Sequence, residues 1–170
     1  ADNGSDGEFL KTNGSGTLDW ASAGKILQVV GAKTTTLRDQ ETSTWTDTHL
    51  TCNITPSSGT KVLVVVMQHI QIRRANDTVR CGLRLMRDST EISAGNSESY
   101  GMEAESSGAP SDVLKWEANI PIIELDTHGA DGSTAVTYKT QVSNETDSDN
   151  GHTYCQPNSL PSTITLIEVA

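Results

Sequence analysis

Aromatic residues are scarce, at 4% of a 170-residue chain: three Trp, three Tyr and a single Phe. Hydrophobic residues of all kinds reach only 34%. Cations are scarce as well, 12 Lys and Arg against 22 Asp and Glu, for a formal net charge of -10. That balance argues against generic nucleic-acid binding, which needs a cationic footprint. It also argues against docking on an anionic membrane surface. The longest apolar stretch, residues 62–67, is far too short to cross a bilayer. The first residues, Ala1-Asp2-Asn3-Gly4, are polar and acidic, and the secretory pattern of a basic end followed by an apolar segment is missing. Cysteines are few and far apart at Cys52, Cys81 and Cys155, with no CxxC pair, so a zinc ribbon or dithiol redox motif is not expected. Cys52 and Cys81 fall in alternating runs and read as small buried hydrophobes, whereas Cys155 reads as a free thiol in a polar loop. Such usage fits assembly in a reducing cytoplasm. In that compartment the Asn53, Asn76 and Asn144 sequons carry no meaning.

Helical periodicity is missing too: no window sustains an i, i+3, i+4, i+7 apolar stripe with caps. What is there is β patterning. Residues 25–30 are a short apolar run, and 45–54 alternate, with Leu50, Cys52 and Ile54 on one face. A turn signal at Pro56-Ser57-Ser58-Gly59 precedes a long strand over 61–72, apolar on both faces at its start and hence central. Residues 78–87 alternate again. Residues 116–125 form a strand in which Pro121 implies an edge or a bulge, and Asp131-Gly132 is a hairpin-type turn. Strands follow at 135–142 and 163–169, with polar excursions at 89–110 and 143–161. About eight short strands predict an all-β, antiparallel β-sandwich or jelly roll over residues 24–170. Residues 1–23 are a Gly/Ser/Asn-rich extended N-terminal arm, with Phe9, Leu18 and Trp20 as apolar anchors for docking on a neighbour.

Two stretches carry a family resemblance. Gly7-Glu8-Phe9-Leu10-Lys11-Thr12-Asn13-Gly14-Ser15-Gly16-Thr17-Leu18-Asp19-Trp20-Ala21 resembles a segment that precedes C-terminal domains in bacteriophage tail-fibre proteins. Residues 24–170, through Lys25-Ile26-Leu27-Gln28-Val29-Val30, Ile54-Thr55-Pro56-Ser57-Ser58 and Thr163-Ile164-Thr165-Leu166-Ile167-Glu168-Val169-Ala170, resemble a C-terminal domain of phage fibres, marine and cyanobacterial ones above all. The resemblance implies a virion β-domain, assembled in the host cytoplasm, and no particular chemistry. The apolar final strand also suits a strand near a symmetry axis, as in jelly rolls similar to those of TNF and C1q. Together with the small apolar supply, it predicts a homotrimer.

Catalysis is not expected. His49, His69, His128 and His152 each sit singly, and no HExxH, GxSxG or Cys-His constellation is present. Glu117, Glu124 and Asp126 lie on or beside one strand and read as solvated strand ends rather than a glycosidase pair. Asp147-Ser148-Asp149-Asn150-Gly151 lacks EF-hand spacing. No metal and no cofactor are predicted, although a loose cation site at Asp126, His128 and Asp131, or at Asp147 and Asp149, is an alternative. Five of the twelve cations, Arg73, Arg74, Arg80, Arg84 and Arg87, fall in one hairpin. Arg80 and Arg84 share a face and are candidates for inter-subunit pairing, with Ile167 and Val169 as apolar subunit contacts. For a host-surface glycan the candidates are Trp45, Tyr100 and Tyr154, with loops 89–110, 127–133 and 143–161. Expected partners are further copies of the chain, other virion proteins through the arm, and that glycan. A capsid decoration or cement protein is the alternative reading, and a polysaccharide-active enzyme a lesser one.

Overall fold

The computed structural model describes residues 8–12, 14–22, 26–74, 79–93, 100–104, 114–146 and 151–170. The N-terminal segment, expected as an extended arm, is a hairpin of β1 (Glu8–Thr12) and β2 (Leu18–Ser22), in register from Glu8 with Ser22 to Thr12 with Leu18. Its turn contains Gly14 and Gly16 at φ +82° and +87°, a left-handed conformation that glycine adopts without steric cost. The inward-facing backbone groups, about half of those that an extended arm would leave unpaired, are thereby satisfied within the segment.

The rest is the antiparallel β-sandwich expected from the alternation. In chain order it comprises β3 (Ile26–Thr34), β4 (Arg38–Gln40), β5 (Thr46–Ile54), β6 (Lys61–Arg74), β7 (Val79–Arg87), β8 (Thr90–Glu91) and β9 (Tyr100–Ala104). Then follow β10 (Leu114–Asp126), β11 (Val136–Thr146), β12 (His152–Cys155), a 3-10 turn (Pro157–Ser159) and β13 (Ser162–Val169). The first sheet is organised by β6. One of its edges is lined by β10 along its length, from Val62 with Asp126 to Arg74 with Leu114. Its other edge is divided: β13 pairs Lys61 to Met67 and leads outward to β3, and β12 pairs Ile70 to Arg73 and leads outward to β4. The second sheet has the order β5-β11-β7, with β8 and β9 on the far edge of β7. Pro121 sits in β10, which among the described residues pairs only with β6, so the missing N–H falls on an edge strand as its residue type requires. No helix among the described residues is long and apolar enough to cross a membrane.

Two core clusters fill the sandwich. One joins Val62, Val64, Val66, Ile164 and Leu166 of the first sheet to Leu50, Ile54, Leu85, Val136 and Tyr138 of the second. The other joins Ile70, Ile72 and Cys155 to Cys81, Leu83 and Val142. Burying each Val, Leu or Ile contributes about 1.5–3 kcal/mol. Between the clusters, the inward side of β6 presents Gln68. Its Oε1 accepts hydrogen bonds from Thr140 (2.8 Å) and Thr48 (3.4 Å), and its Nε2 donates to Ser162 Oγ (2.9 Å). Ser162 Oγ also accepts from the His69 N–H and from Gln156 Nε2. All five side chains are buried, so a belt of satisfied polar groups crosses the core and ties the two sheets together.

Two sequence expectations need correction. Residues 143–161 are not a free polar loop: β11 runs on to Thr146, and β12 inserts between β6 and β4. Cys155 accordingly faces the core fully buried beside Cys81, and burial pushes both thiols up, that of Cys81 to about 12. The inward residues of β12 are Thr153 and Cys155, so its alternation does not register as apolar against polar. The excursion at 89–110, expected as a surface excursion with one short strand at most, contributes two, β8 and β9.

Candidate functional site

Residues directly opposite in a sheet share a face. The first sheet buries the even-numbered side chains of β6, so its outer face carries Leu63, Val65, Met67, His69, Gln71 and Arg73 with their cross-strand partners. That face has two unlike halves.

At the β3/β13 end the rows are apolar. Val29, Ile167, Leu63 and Leu125 line up across four strands, and the next row is Gly31, Thr165, Val65 and Ile123. Ile123 is 66% exposed and Val29 57%, with Leu27, Leu125 and Met67 also exposed.

At the β4/β12 end the rows are polar. Asp39, Tyr154, Gln71 and Glu117 form one row, and His152, Arg73 and Lys115 the next. His69 Nε2 lies 2.7 Å from Glu117 Oε1 and its Nδ1 lies 2.9 Å from Asn119 Oδ1. Gln71 Nε2 donates to Glu117 Oε2 at 3.1 Å. The hydrogen bond from His69, then that from Gln71, holds the Glu117 carboxyl below its ordinary pKa. His152 Nδ1 is 3.0 Å from Asp39 Oδ1 and 3.5 Å from Glu41 Oε1. Asp39, Glu41 and His152 are also the one group of described residues whose donor atoms, all within 4.8 Å of one another, could hold a metal ion. The imidazole stacks on the Tyr154 ring, 3° from parallel with centroids 5.4 Å apart. A groove of about 190 Å³ opens beside that ring, walled by Tyr154, Arg73, Lys115, Gln71 and Asn158, with Leu37 and Pro157. Among the described residues its wall contains an aromatic face, two cations and two side-chain amides but no carboxylate.

The structure separates the three aromatics proposed for sugar stacking. Tyr154 lines this groove on the first sheet, in a strand rather than a loop. Trp45 lies over β7 of the second sheet, with the Arg84 guanidinium 4.3 Å from its ring centroid. It reaches Gly82, where a Cβ would come within 2.7 Å of the ring, so glycine is what lets the indole lie against the strand. Tyr100 pairs with Gly82 through the backbone, and its side chain lies outside the described residues. Arg84 also donates to Gln141 Oε1 and pairs with Glu91 at 3.0 Å. Arg80 sits between Glu103 and Glu145 in the strand register. Ile167 and Val169 are half-buried on the outer face of β13, Ile167 within the apolar rows. In the hairpin, Leu18 and Phe9 are exposed and Trp20 is half-buried opposite Leu10.

The carboxylates weighed for catalysis do not converge. Glu117 lies on the outer face of β10, whereas Asp126 is buried on the inner side, where Arg87 (2.7 Å) and the Tyr138 hydroxyl (2.7 Å) donate to it. Glu124 is opposite Val64 on the inner side. Of the loose cation alternatives, His128 contacts Thr60 and accepts from the Ala130 N–H, and Asp131 accepts from the Ser133 and Thr134 N–H groups. Each is engaged locally, and Asp147 and Asp149 lie outside the described residues. Sequence reasoning missed Gln71, Lys115, Asn158 and Leu37 as wall residues. Arg73 stood out only as part of a basic cluster.

No protein-family model and no curated protein matches the chain. Among solved structures, the chain is similar to that of the infectious bursal disease virus Gt strain, at TM-score 0.40 and 9% identity over 92% of this chain and 41% of that one. The Gx strain of the same virus gives TM-score 0.37 and 9% identity over 92% and 40%. The infectious bursal disease virus VP2 subviral particle gives TM-score 0.34 and 7% identity over 94% and 41%. The chain thus spans about two fifths of the length of these proteins.

Proposed function

We propose that this chain is a non-enzymatic structural virion protein, a homotrimeric β-sandwich module of a phage appendage that attaches to a host-surface glycan. The observation that carries the reading is the divided outer face of the first sheet. Its apolar rows offer a charge-free patch on a chain of net charge -10, the part of the surface where copies approach with least mutual repulsion. Its polar rows present an exposed tyrosine ring beside cations and amides, the side-chain types that stack on and hydrogen-bond to a pyranose. The fibre-like segments at both ends of the sequence agree with it. Light scattering joined to a glycan array tests the proposal. A trimer that binds saccharide and loses it on Tyr154→Ala supports it; a stable monomer with no saccharide bound overturns it.

The exposed Phe9, Leu10 and Leu18 of the hairpin favour a second reading, a capsid decoration protein clamped to the shell by this element. Electron microscopy of intact particles separates the two by whether the chain is found at a fibre tip or in regular array on the head.

A further inference from the structure

We infer that the groove beside Tyr154 takes an acidic sugar, a pyranose bearing a carboxylate or sulfate, with its anionic group held between Arg73 and Lys115. This rests on the glycan reading above and narrows it. The two cations are direct cross-strand partners in β6 and β10. Like charges directly opposite one another destabilise a sheet. Both side chains are exposed, and neither makes an ion pair with a described residue. In a chain with 22 acids against 12 cations, a cation pair without an ion-pair contact to any described residue stands out. The neighbouring acids are turned to other partners. Glu117 is hydrogen-bonded to His69 and Gln71 and gives Lys115 only a weaker electrostatic attraction, and Asp39 and Glu41 face His152. The companion arginines are spent within the fold, Arg84 on Glu91 and Gln141 and Arg87 on Asp126.

The rest of the wall suits the ring of such a sugar. His152 stacks on Tyr154 but is not part of the groove wall, so the tyrosine keeps a ring face for a ligand. Gln71 and Asn158 offer amides that both donate to and accept from hydroxyls. An anion set between Arg73 and Lys115 gains two charge-assisted contacts and cancels their repulsion.

The test is calorimetric titration of the whole protein with three probes: a uronate trisaccharide, its methyl ester and a sulfated neutral trisaccharide. The uronate is expected to bind, with affinity falling as salt rises. The methyl ester should bind roughly tenfold or more weakly. The sulfated probe tells whether the anionic site also accepts sulfate. Arg73→Gln and Lys115→Gln should each cut uronate affinity about tenfold while leaving the melting temperature of the free protein unchanged or raised, because each removes a like-charge pair. A merely structural pair would instead lower the melting temperature on substitution. Equal binding of the uronate and its ester overturns the acidic-sugar assignment and leaves the glycan reading standing. Binding of no saccharide at all overturns both.

Discussion

The two halves of β6 show how one strand serves two surfaces. From Val62 to Val66 the side chains are apolar on both faces, so the outer side of the sheet there is apolar, uncharged and exposed. From His69 to Arg73 the inner side stays apolar with Ile70 and Ile72, and the outer side turns polar. Gln68 marks the change on the inside as well, because its hydrogen bonds divide the core into the same two halves. A strand apolar on both faces needs cover on both. The second sheet covers one face only; among the described residues the other is bare, and it is the face we propose as the subunit contact, whereas the polar half needs no such cover.

The largest effect on this contrast should come from the belt. Gln68→Leu is expected to lower stability by about 3–5 kcal/mol, since Thr48, Thr140 and Ser162 each lose one buried partner, the threonines keeping only their mutual contact as a side-chain bond and Ser162 its bonds from His69 and Gln156. Urea denaturation measures it. Replacing Thr48 and Thr140 by Val in the same chain should recover part of the loss by removing two hydroxyls that no longer have Gln68 as acceptor; a single variant losing under ~1 kcal/mol would mean the belt is redundant.

Next in size is the apolar half. Ile123→Lys places a charge in the centre of the exposed rows while making the net charge less negative, so general repulsion between copies falls. Association should nevertheless weaken by roughly 2–4 kcal/mol per contact, seen as dissociation in light scattering, with the monomer still folded. Arg73→Gln, on the polar half, should leave association unaltered. If both variants associate like the parent, the apolar rows are not the subunit contact.

The smallest effect concerns Glu168, buried where β13 ends beneath the apolar half. Burial alone would raise its pKa, but hydrogen bonds from Gln28 (2.6 Å), the Ser57 N–H (2.7 Å) and Thr60 (2.8 Å) outweigh burial and hold it below the ordinary 4.5. The folded state therefore takes up this proton less readily than the unfolded chain. The carboxylate's contribution is complete above pH 4.5 and is lost as pH falls through the lower folded value. Glu168→Gln should cost about 1–2 kcal/mol at neutral pH and flatten the acid limb of a stability–pH curve. An unchanged acid limb would place the proton-linked stability elsewhere.

How much of this was legible from the residues alone differs from strand to strand. Where side chains alternate apolar against polar, as in β5 and β7, local chemistry decides which face is buried, and the strands follow from it. Pro121 announced an edge or a bulge in β10, because a residue without an N–H cannot serve a central ladder, and the strand register makes it an edge among the described residues. The doubly apolar start of β6 announced a central strand. β12 was hidden because Thr153 and Cys155 do not read as apolar, and its polar appearance placed Cys155 in a loop. The groove was hidden for another reason. Arg73, Lys115 and Tyr154 are far apart in sequence, and they become neighbours only because β10 and β12 pair with opposite edges of the same stretch of β6. The fold class and most strands were thus determined by the order of residues along the chain, since hydrophobic alternation acts locally. Which cations stand side by side, which carboxylates are already engaged and which apolar face lies bare were decided by strand register, which exists only once the sheets have formed.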